Sequence, residues 1–254
     1  MQRPVKRVQV ALIHVAVSIT IFPVESTLNR VMINELAISA LLVGALLALP
    51  YLFSPVQVAI GAFADRNPIF GLRRTPYIVI GLTLCLAGCL LAPYAAFSLA
   101  EGGTLNILLA VLMFGLWGTG FNFATVSYFS IASELWDEQG RSTTIALMFL
   151  LMIASFIAMA SVIGRIVDPY TTEALFRAFR VTAAIAFVLG ILGVIGLEPR
   201  RDQIVVREPV NILDTYRALF NNRVARQFFI YLLILLVALL GNDIFIEPYG
   251  AAAF

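Results

Sequence analysis

The sequence is poor in charge, in histidine and in cysteine: its 254 residues include one histidine and two cysteines. Charged residues make up 13% of the chain, about half of their usual share in soluble domains, whereas 61% of the residues are apolar and mean hydropathy is +0.94. This composition excludes an ordinary soluble domain. It indicates an integral membrane protein that crosses the lipid bilayer several times.

The sequence also lacks the short motifs of common enzymes. It has no phosphate-binding loop of the type Gly-x-x-x-x-Gly-Lys-Ser/Thr, no Ser-His-Asp arrangement and no metal-hydrolase motif. Cys85 and Cys89 lie one helical turn apart in an apolar run without a nearby histidine, which makes a metal site improbable and predicts small packing residues. We therefore expect neither an enzyme nor a nucleic-acid partner.

Seven apolar stretches are long enough to cross a bilayer, which takes about 20 residues. They cover residues 8–31, 37–64, 76–99, 105–134, 143–167, 179–197 and 228–246. Thirteen of the 17 lysines and arginines precede the first span or lie in the second, fourth and sixth connections. Because cations favour the cytoplasmic side, this bias predicts a membrane protein with a cytoplasmic N-terminus and residue 254 outside.

The longest connection, residues 198–227, carries six arginines and a short amphipathic segment, NILDTYRALF. We expect this basic linker to lie along the inner membrane surface, near anionic lipid headgroups. It separates a six-helix bundle at residues 1–197 from a seventh span at residues 228–254, which would begin a second bundle. The predicted fold is thus all-α, a polytopic transmembrane helical bundle.

Small residues are expected to mediate helix packing, because lipid gives little hydrophobic drive for helices to associate. The candidates in spans four and five are Gly115, Gly118 and Gly120, Ala154 with Ala158, and Ala160 with Gly164. Prolines are expected to bend spans one and two, at Pro23, Pro50 and Pro55.

Polar groups inside apolar spans are costly to bury and are therefore candidate functional residues. The candidates for contact with a substrate or pigment are His14, Glu25, Asn29, Arg30, Asn122, Asp243 and Glu247. Glu25 with Asn29, and Asp243 with Glu247, are each one turn apart and share a helix face. For those at the ends of spans, solvation at the membrane interface explains their position equally well.

The loop between spans two and three, residues 61–77, reads GAFADRNPIFGLRRTPY. Its motif residues are Gly61, Asp65, Arg66, Gly71, Arg73 and Arg74. The pattern Gly-x-x-x-Asp-Arg, a turn, then Gly-x-Arg-Arg resembles the corresponding loop of the major facilitator superfamily, with a longer turn. We expect a structural role for Asp65, because an acid here stabilises the N-terminus of a neighbouring helix. Thr75 is the expected N-cap of the next helix and Pro76 its first residue.

Three stretches resemble one branch of that superfamily more closely: residues 26–66 with LNRVM and LPYLF, residues 71–78 with GLRRTPYI, and residues 242–254 with EPYG. This combination is similar to the PucC-like bacteriochlorophyll-delivery branch, which assembles light-harvesting complexes. The resemblance covers a first bundle and one further span of a twelve-span fold, so whether the chain is a fragment stays open.

The resemblance implies a protein of photosynthetic membranes that helps to build light-harvesting antennas. It implies bacteriochlorophyll as a bound or delivered pigment, and antenna polypeptides, a reaction centre or chlorophyll synthase as partners. His14 would then ligate the magnesium of a chlorophyll or bond a neighbouring helix, and Asn29, Asn122 or Asn242 offer oxygen ligands instead. A secondary transporter and a permanent subunit of a photosynthetic complex are the alternatives. The acids cluster at span ends, which favours an assembly role over transport.

Overall fold

The computed structural model describes residues 2–53, 56–198, 220–235 and 237–238. The elements within the first two ranges are helices α1 (Gln2–Ser18), two π-helical segments (Pro23–Leu28 and Val31–Glu35), α2 (Ala40–Leu47), α3 (Leu49–Leu52), α4 (Val56–Arg66), α5 (Thr75–Ala100), α6 (Thr104–Glu134), α7 (Glu138–Ile166) and α8 (Thr172–Val194). Residues 223–235 are also helical. The predicted all-α bundle is confirmed.

Five helical stretches in the described part of the chain are long and apolar enough to cross a membrane. They are Pro4–Glu35, α5, α6, α7 and α8. Two of them begin earlier than their apolar runs because side-chain caps start the helices: Asp137 accepts a hydrogen bond from the backbone of Gly140, and Thr171 accepts one from that of Ala174. The linker 198–227 and the seventh span lie largely outside the described residues, so the count of seven spans stays a prediction.

Span two is not the single helix that its apolar run predicts. It consists of the short helices α2, α3 and α4, and none of them could cross a membrane alone. Pro50, near the start of α3, has no amide hydrogen to donate to the preceding turn, which accounts for the break between α2 and α3. The expected bend at Pro50 is thus confirmed as an interruption, whereas Pro55 lies outside the described residues.

Span one changes its geometry at Pro23. Beyond this residue the helix widens into two π-helical segments, in which the amide of Leu36 donates to the carbonyl of Val31, five residues back. Such wide turns are rare and often occur at functional sites. In this chain they coincide with the polar end of span one, where Glu25, Asn29 and Arg30 lie.

Glycines allow α5 and α6 to approach closely along much of their length. A methyl group on Gly88 would lie 2.5 Å from Cβ of Trp117, and one on Gly120 would overlap the backbone of Cys85. On the other side of α6, a methyl on Gly118 would lie 2.9 Å from Cα of Pro50. The packing role expected for Gly118 and Gly120 is confirmed. Cys85 and Cys89 are free, buried packing residues, as predicted.

The small residues of α7 do not behave as expected. Ala154, Ala158, Ala160 and Gly164 are all exposed, and no atom lies within 4 Å of a methyl group placed on Gly164. The helix packs on the bundle through its other face, on which Met148, Met159 and Ile163 are buried. The prediction that these pairs join helices is therefore wrong within the described residues, because the small-residue spacing does not identify which face of an apolar helix is covered.

Candidate functional site

Five charged residues meet at one end of the bundle, in what we call the loop-end cluster: Asp65, Arg73, Arg74, Glu134 and Glu198. The carboxylate of Asp65 accepts a hydrogen bond from the guanidinium group of Arg73 at 2.7 Å and forms an ion pair with that of Arg74 at 2.6 Å. Glu134, at the end of α6, lies 3.4 Å and 3.6 Å from the same two cations. Burial lowers the pKa of Arg73, but its hydrogen bond to Asp65 and the charge of Glu134 raise that pKa overall. The cluster is therefore an ion-pair network between charged groups.

Glu198 caps helix α5 from a distance of more than 120 residues in sequence. Its carboxylate accepts the backbone N–H groups of Arg73 at 2.9 Å, Arg74 at 3.0 Å and Thr75 at 2.9 Å. An anion suits this position, since helix N-termini carry free N–H groups and a positive dipole end. The expectation that Thr75 is the N-cap is wrong: it is helical, and its buried hydroxyl has no hydrogen-bond partner among the described residues.

The other motif residues of the loop shape it. Gly71 has a φ of 75°, the left-handed conformation expected of it, and the backbones of Ile69 and Leu72 close the turn with two hydrogen bonds of 3.0 Å. The carbonyl of Gly61 accepts from the side chain of Arg74 at 3.3 Å. Arg66 is exposed and belongs to none of the ion pairs in the described part of the chain. The loop thus fastens α4, α5, α6 and the segment that follows α8 together.

His14 lies in the interior of the bundle, enclosed by aromatic rings. Its Nδ1 is 2.9 Å from the hydroxyl of Tyr128, and the rings of Tyr128, Phe129 and Phe149 surround it at centroid distances of 5.3, 5.8 and 5.2 Å. Its Nε2 is buried and has no hydrogen-bond partner among the described residues. As an electron-pair donor this nitrogen has the chemistry to ligate the magnesium of a bacteriochlorophyll, but the His14 side chain is only 4% exposed. Phe149 is 42% exposed and is the ring nearest the outside.

Asn122 holds three helices together. Its amide nitrogen donates to the carbonyls of Pro50 and Gly118, both at 2.9 Å, and its oxygen accepts from the side chain of Gln57 on α4. This buried amide already uses its donors and its oxygen, which gives it a structural role; contact with a pigment stays a prediction. Sequence reasoning did not select Gln57. The signal that could have found it is an uncharged polar residue within an otherwise apolar run.

Thr20 forms a second polar contact that the sequence did not reveal. Its hydroxyl donates to the carbonyl of Val17 at 2.7 Å, accepts from the indole N–H of Trp117 at 3.1 Å, and lies 3.2 Å from the sulfur of Cys85. All of these side chains are buried. Threonine and tryptophan are common in spans, so no sequence signal distinguished this pair.

The candidates at the other end of span one, which we call the opposite end, do not converge on one site. The hydroxyl of Tyr51 on α3 donates to Glu25 at 3.4 Å, and Asn29 is fully buried. Arg30 is half-buried and faces α7 across a cavity of about 160 Å³, which is lined by Phe22, Ser26, Thr27, Arg30, Ala160, Ile163, Gly164 and Val167. Glu25 and Arg30 thus lie on different faces of the same span.

Two candidates cannot be placed. Asp243 and Glu247, with the neighbouring Asn242, lie outside the described residues, and their roles stay predictions. Within the described residues, no group of three or more His, Cys, Asp or Glu side chains is arranged to hold a metal ion.

Comparison with known proteins identifies the family. The sequence model of the family described as PUCC protein matches residues 27–254. The chain is 30% identical over 249 residues to the "Bacteriochlorophyll synthase 44.5 kDa chain" of Rhodobacter capsulatus, covering 97% of this chain and 57% of that protein. It is 29% identical over 259 residues to "Protein PucC" of Cereibacter sphaeroides, covering 96% of this chain and 56% of that protein. The chain thus spans little more than half the length of these curated relatives. It is a helical membrane protein that belongs to the PUCC protein family.

Proposed function

We propose that this chain is a non-enzymatic membrane protein that assists light-harvesting antenna assembly, binding or delivering bacteriochlorophyll and docking antenna polypeptides. The observation that carries the proposal is the family match along residues 27–254, together with a relative named for bacteriochlorophyll synthase. The proposed location is the bacterial photosynthetic inner membrane, with the N-terminus cytoplasmic. A reaction centre or chlorophyll synthase is the further proposed partner.

The exposed face of α7 supports docking of another transmembrane helix. Leu150, Ile153 and Ile157 are 63%, 55% and 67% exposed, and the small residues Ala154 and Ala158 lie among them. Small residues let helix backbones approach closely in a membrane, and bulky neighbours then pack around the contact. An antenna polypeptide is itself a membrane helix in this proposal, so this face suits it.

The surroundings of His14 support pigment contact. The imidazole has one nitrogen bonded to Tyr128 and a second, buried nitrogen without a partner among the described residues. The Phe129 and Phe149 rings, 6.5 Å apart, form an aromatic wall beside it. A bacteriochlorophyll would supply a flat apolar surface and a magnesium that takes an axial ligand. His14 would hold the magnesium, and displacement of Phe149 would open the way to it.

A non-enzymatic role agrees with how the charged groups of the loop-end cluster are used. Asp65 and Glu134 pair with Arg73 and Arg74, and Glu198 binds backbone amides. Carboxylates held in this way support structure and are poorly placed to act as acids or bases on a substrate. The name of one relative contains the word synthase, but that name describes the relative and gives this chain no activity.

Transport of a small or amphipathic solute is the second candidate, and one observation favours it. The π-helical part of span one meets the interrupted span two, where Tyr51 donates to Glu25 at 3.4 Å. Secondary transporters build their binding sites from such discontinuous helices. We rank this candidate lower because the aromatic enclosure of His14 has no evident role in alternating access.

Gene deletion with complementation tests the proposed function. We expect deletion to lower the amount of assembled antenna per cell while pigment-synthesis enzymes stay active, and the intact gene to restore it. Normal antenna absorbance with loss of uptake of a solute would favour transport. Recovery of the protein at fixed stoichiometry in mature complexes would favour a permanent subunit.

Two substitutions separate pigment ligation from a hydrogen bond. His14→Phe should remove or shift the long-wavelength band of bacteriochlorophyll that co-purifies with the protein. The matched control is Tyr128→Phe, which deletes the partner of Nδ1 but keeps the imidazole. Equal spectra for the intact protein and His14→Phe would remove His14 as a ligand. A pigment-free preparation that still restores antenna assembly would remove pigment binding altogether.

A further inference from the structure

The cavity between span one and α7 is unlike the rest of the opposite end, because it combines a cation, hydroxyl groups and apolar walls. Its polar lining comes from Arg30, Ser26 and Thr27 on or beside the π-helical segments. Its apolar lining comes chiefly from Ile163 and Val167 on α7. At about 160 Å³ it has the volume of several water molecules.

The polar side of this cavity lies on the wide turns of span one. Residues 26, 27 and 30 lie across the two π-helical segments, and the cavity faces a helix whose small residue there is Gly164. A methyl on Gly164 would meet no atom within 4 Å. There is thus open space beside Gly164, next to the widened part of span one.

The charge of Arg30 is available at this cavity. All ion pairs within the described residues lie in the loop-end cluster, so none of them includes Arg30. Glu35 is the nearby acid: both it and Arg30 act on the pKa of Tyr170, in opposite directions, while burial raises that pKa. No ion pair joins Glu35 to Arg30 within the described residues, so the guanidinium of Arg30 has no carboxylate partner there.

The depth of the cavity matches that of lipid headgroups. Val167 immediately follows the last helical residue of α7, and Arg165 and Asp168 beside it are exposed. Ends of spans with exposed charged residues lie at the membrane–water interface. The apolar walls then extend from this level along α7, the direction in which an acyl chain runs.

We propose that this cavity binds a phosphate group, and that a membrane phospholipid supplies it. The guanidinium of Arg30 is the main donor and the hydroxyl of Thr27 the second, since planar guanidinium groups and hydroxyls suit phosphate oxygens. Ile163 and Val167 contact the first carbons of the lipid. This site is independent of the antenna function proposed above.

Binding of fluorescently labelled phosphatidylglycerol to the purified full chain in detergent tests the proposal. Arg30→Gln and Gly164→Leu should each weaken binding about tenfold or more, the first by removing charged hydrogen bonds and the second by filling the cavity. The matched controls are Arg165→Gln and Ala158→Leu, at exposed positions of α7 that do not line the cavity. Both should bind as the unsubstituted chain does.

Two further probes identify the ligand group and its source. Labelled diacylglycerol, which lacks the phosphate, should bind at least tenfold more weakly than phosphatidylglycerol. If inorganic phosphate in excess displaces the lipid and binds to the intact chain but not to Arg30→Gln, the phosphate site is supported with free phosphate as its source. Equal affinities for the two lipids, or equal binding by Arg30→Gln and Arg165→Gln, would overturn the proposal. Gly164→Leu leaves Arg30 in place, so this variant still tests the proposal if Arg30→Gln does not fold.

Discussion

The two ends of the bundle use charge in opposite ways. At the loop end, Asp65 and Glu134 lie against two arginines, and Glu198 accepts three backbone amides. At the opposite end, Glu25 and Arg30 point to different neighbours, and Arg30 borders a cavity. Paired charges of the first kind fix the positions of helices, whereas a cation beside open space is available to a ligand. The difference supports a structural role for the loop end and agrees with the binding site proposed at the opposite end.

The largest expected effect concerns the side of the membrane on which each end lies. We expect a cysteine at Asn67 to resist an impermeant thiol reagent in intact cells and one at Glu101 to react, because the cation bias places the loop end in the cytoplasm. Both positions are exposed in their loops, and the native Cys85 and Cys89 are buried, so the background is low. Labelling of Asn67→Cys but not of Glu101→Cys would invert the predicted topology.

Substitution of Asp65 should cause the largest loss of stability. Asp65→Ala leaves Arg73 and Arg74, which are 12% and 5% exposed, without their shared carboxylate. Removing one partner of a largely buried ion pair costs about 3 kcal/mol, less here because Asp65 is itself partly exposed and Glu134 stays within reach. Thermal unfolding in detergent measures this. Glu138→Ala, an exposed acid at the start of α7, is the control, and an equal fall in Tm for both would refute the structural role.

Loss of the long-range cap should cost somewhat less. Glu198→Ala leaves three backbone N–H groups at the start of α5 without their acceptor, and a lost helix cap costs about 1–2 kcal/mol. Glu173→Ala removes an exposed acid from the first turn of α8 and serves as the control. Glu198→Gln should show an intermediate Tm, because the amide oxygen still accepts. If Glu198→Ala unfolds at the same temperature as the control, the cap does not stabilise the fold.

The sequence predicted what depends on local chemistry and missed what depends on distant partners. Apolar runs located α5 to α8, because a stretch that must cross lipid has to be continuous in sequence. The glycines of α6 were recognised because only small residues permit such close approach. The sequence did not identify Glu198 as the cap of α5, because no residue near Thr75 indicates an acceptor so distant along the chain.

For the candidate site, too, the sequence predicted local features and missed distant partners. Polar residues in the apolar runs were found, but their partners were not: Gln57 for Asn122, Tyr128 for His14 and Tyr51 for Glu25. The proline itself predicted the disturbance of span two at Pro50, whereas the apolar pattern did not show that the helix is divided into α2, α3 and α4. The cavity at Arg30 is also lined by Gly164, more than a hundred residues away in sequence, and no local pattern can show such a meeting.

The smallest expected effect is the one that most sharpens the contrast between the two ends. In lipid-free detergent, Arg30→Gln should change the free energy of unfolding by no more than about 0.5 kcal/mol, as for substitutions that break no specific contact. Arg30 is half-buried beside a cavity and belongs to none of the described ion pairs, so little is lost in the free protein. Arg73→Gln, in contrast, breaks a 2.7 Å contact with Asp65 and should lower the Tm clearly. Matched melting curves of the two variants decide between the assignments. A loss at Arg30 as large as that at Arg73 would mean that the opposite end is held together by charge as well, and the division into a structural end and a binding end would fail.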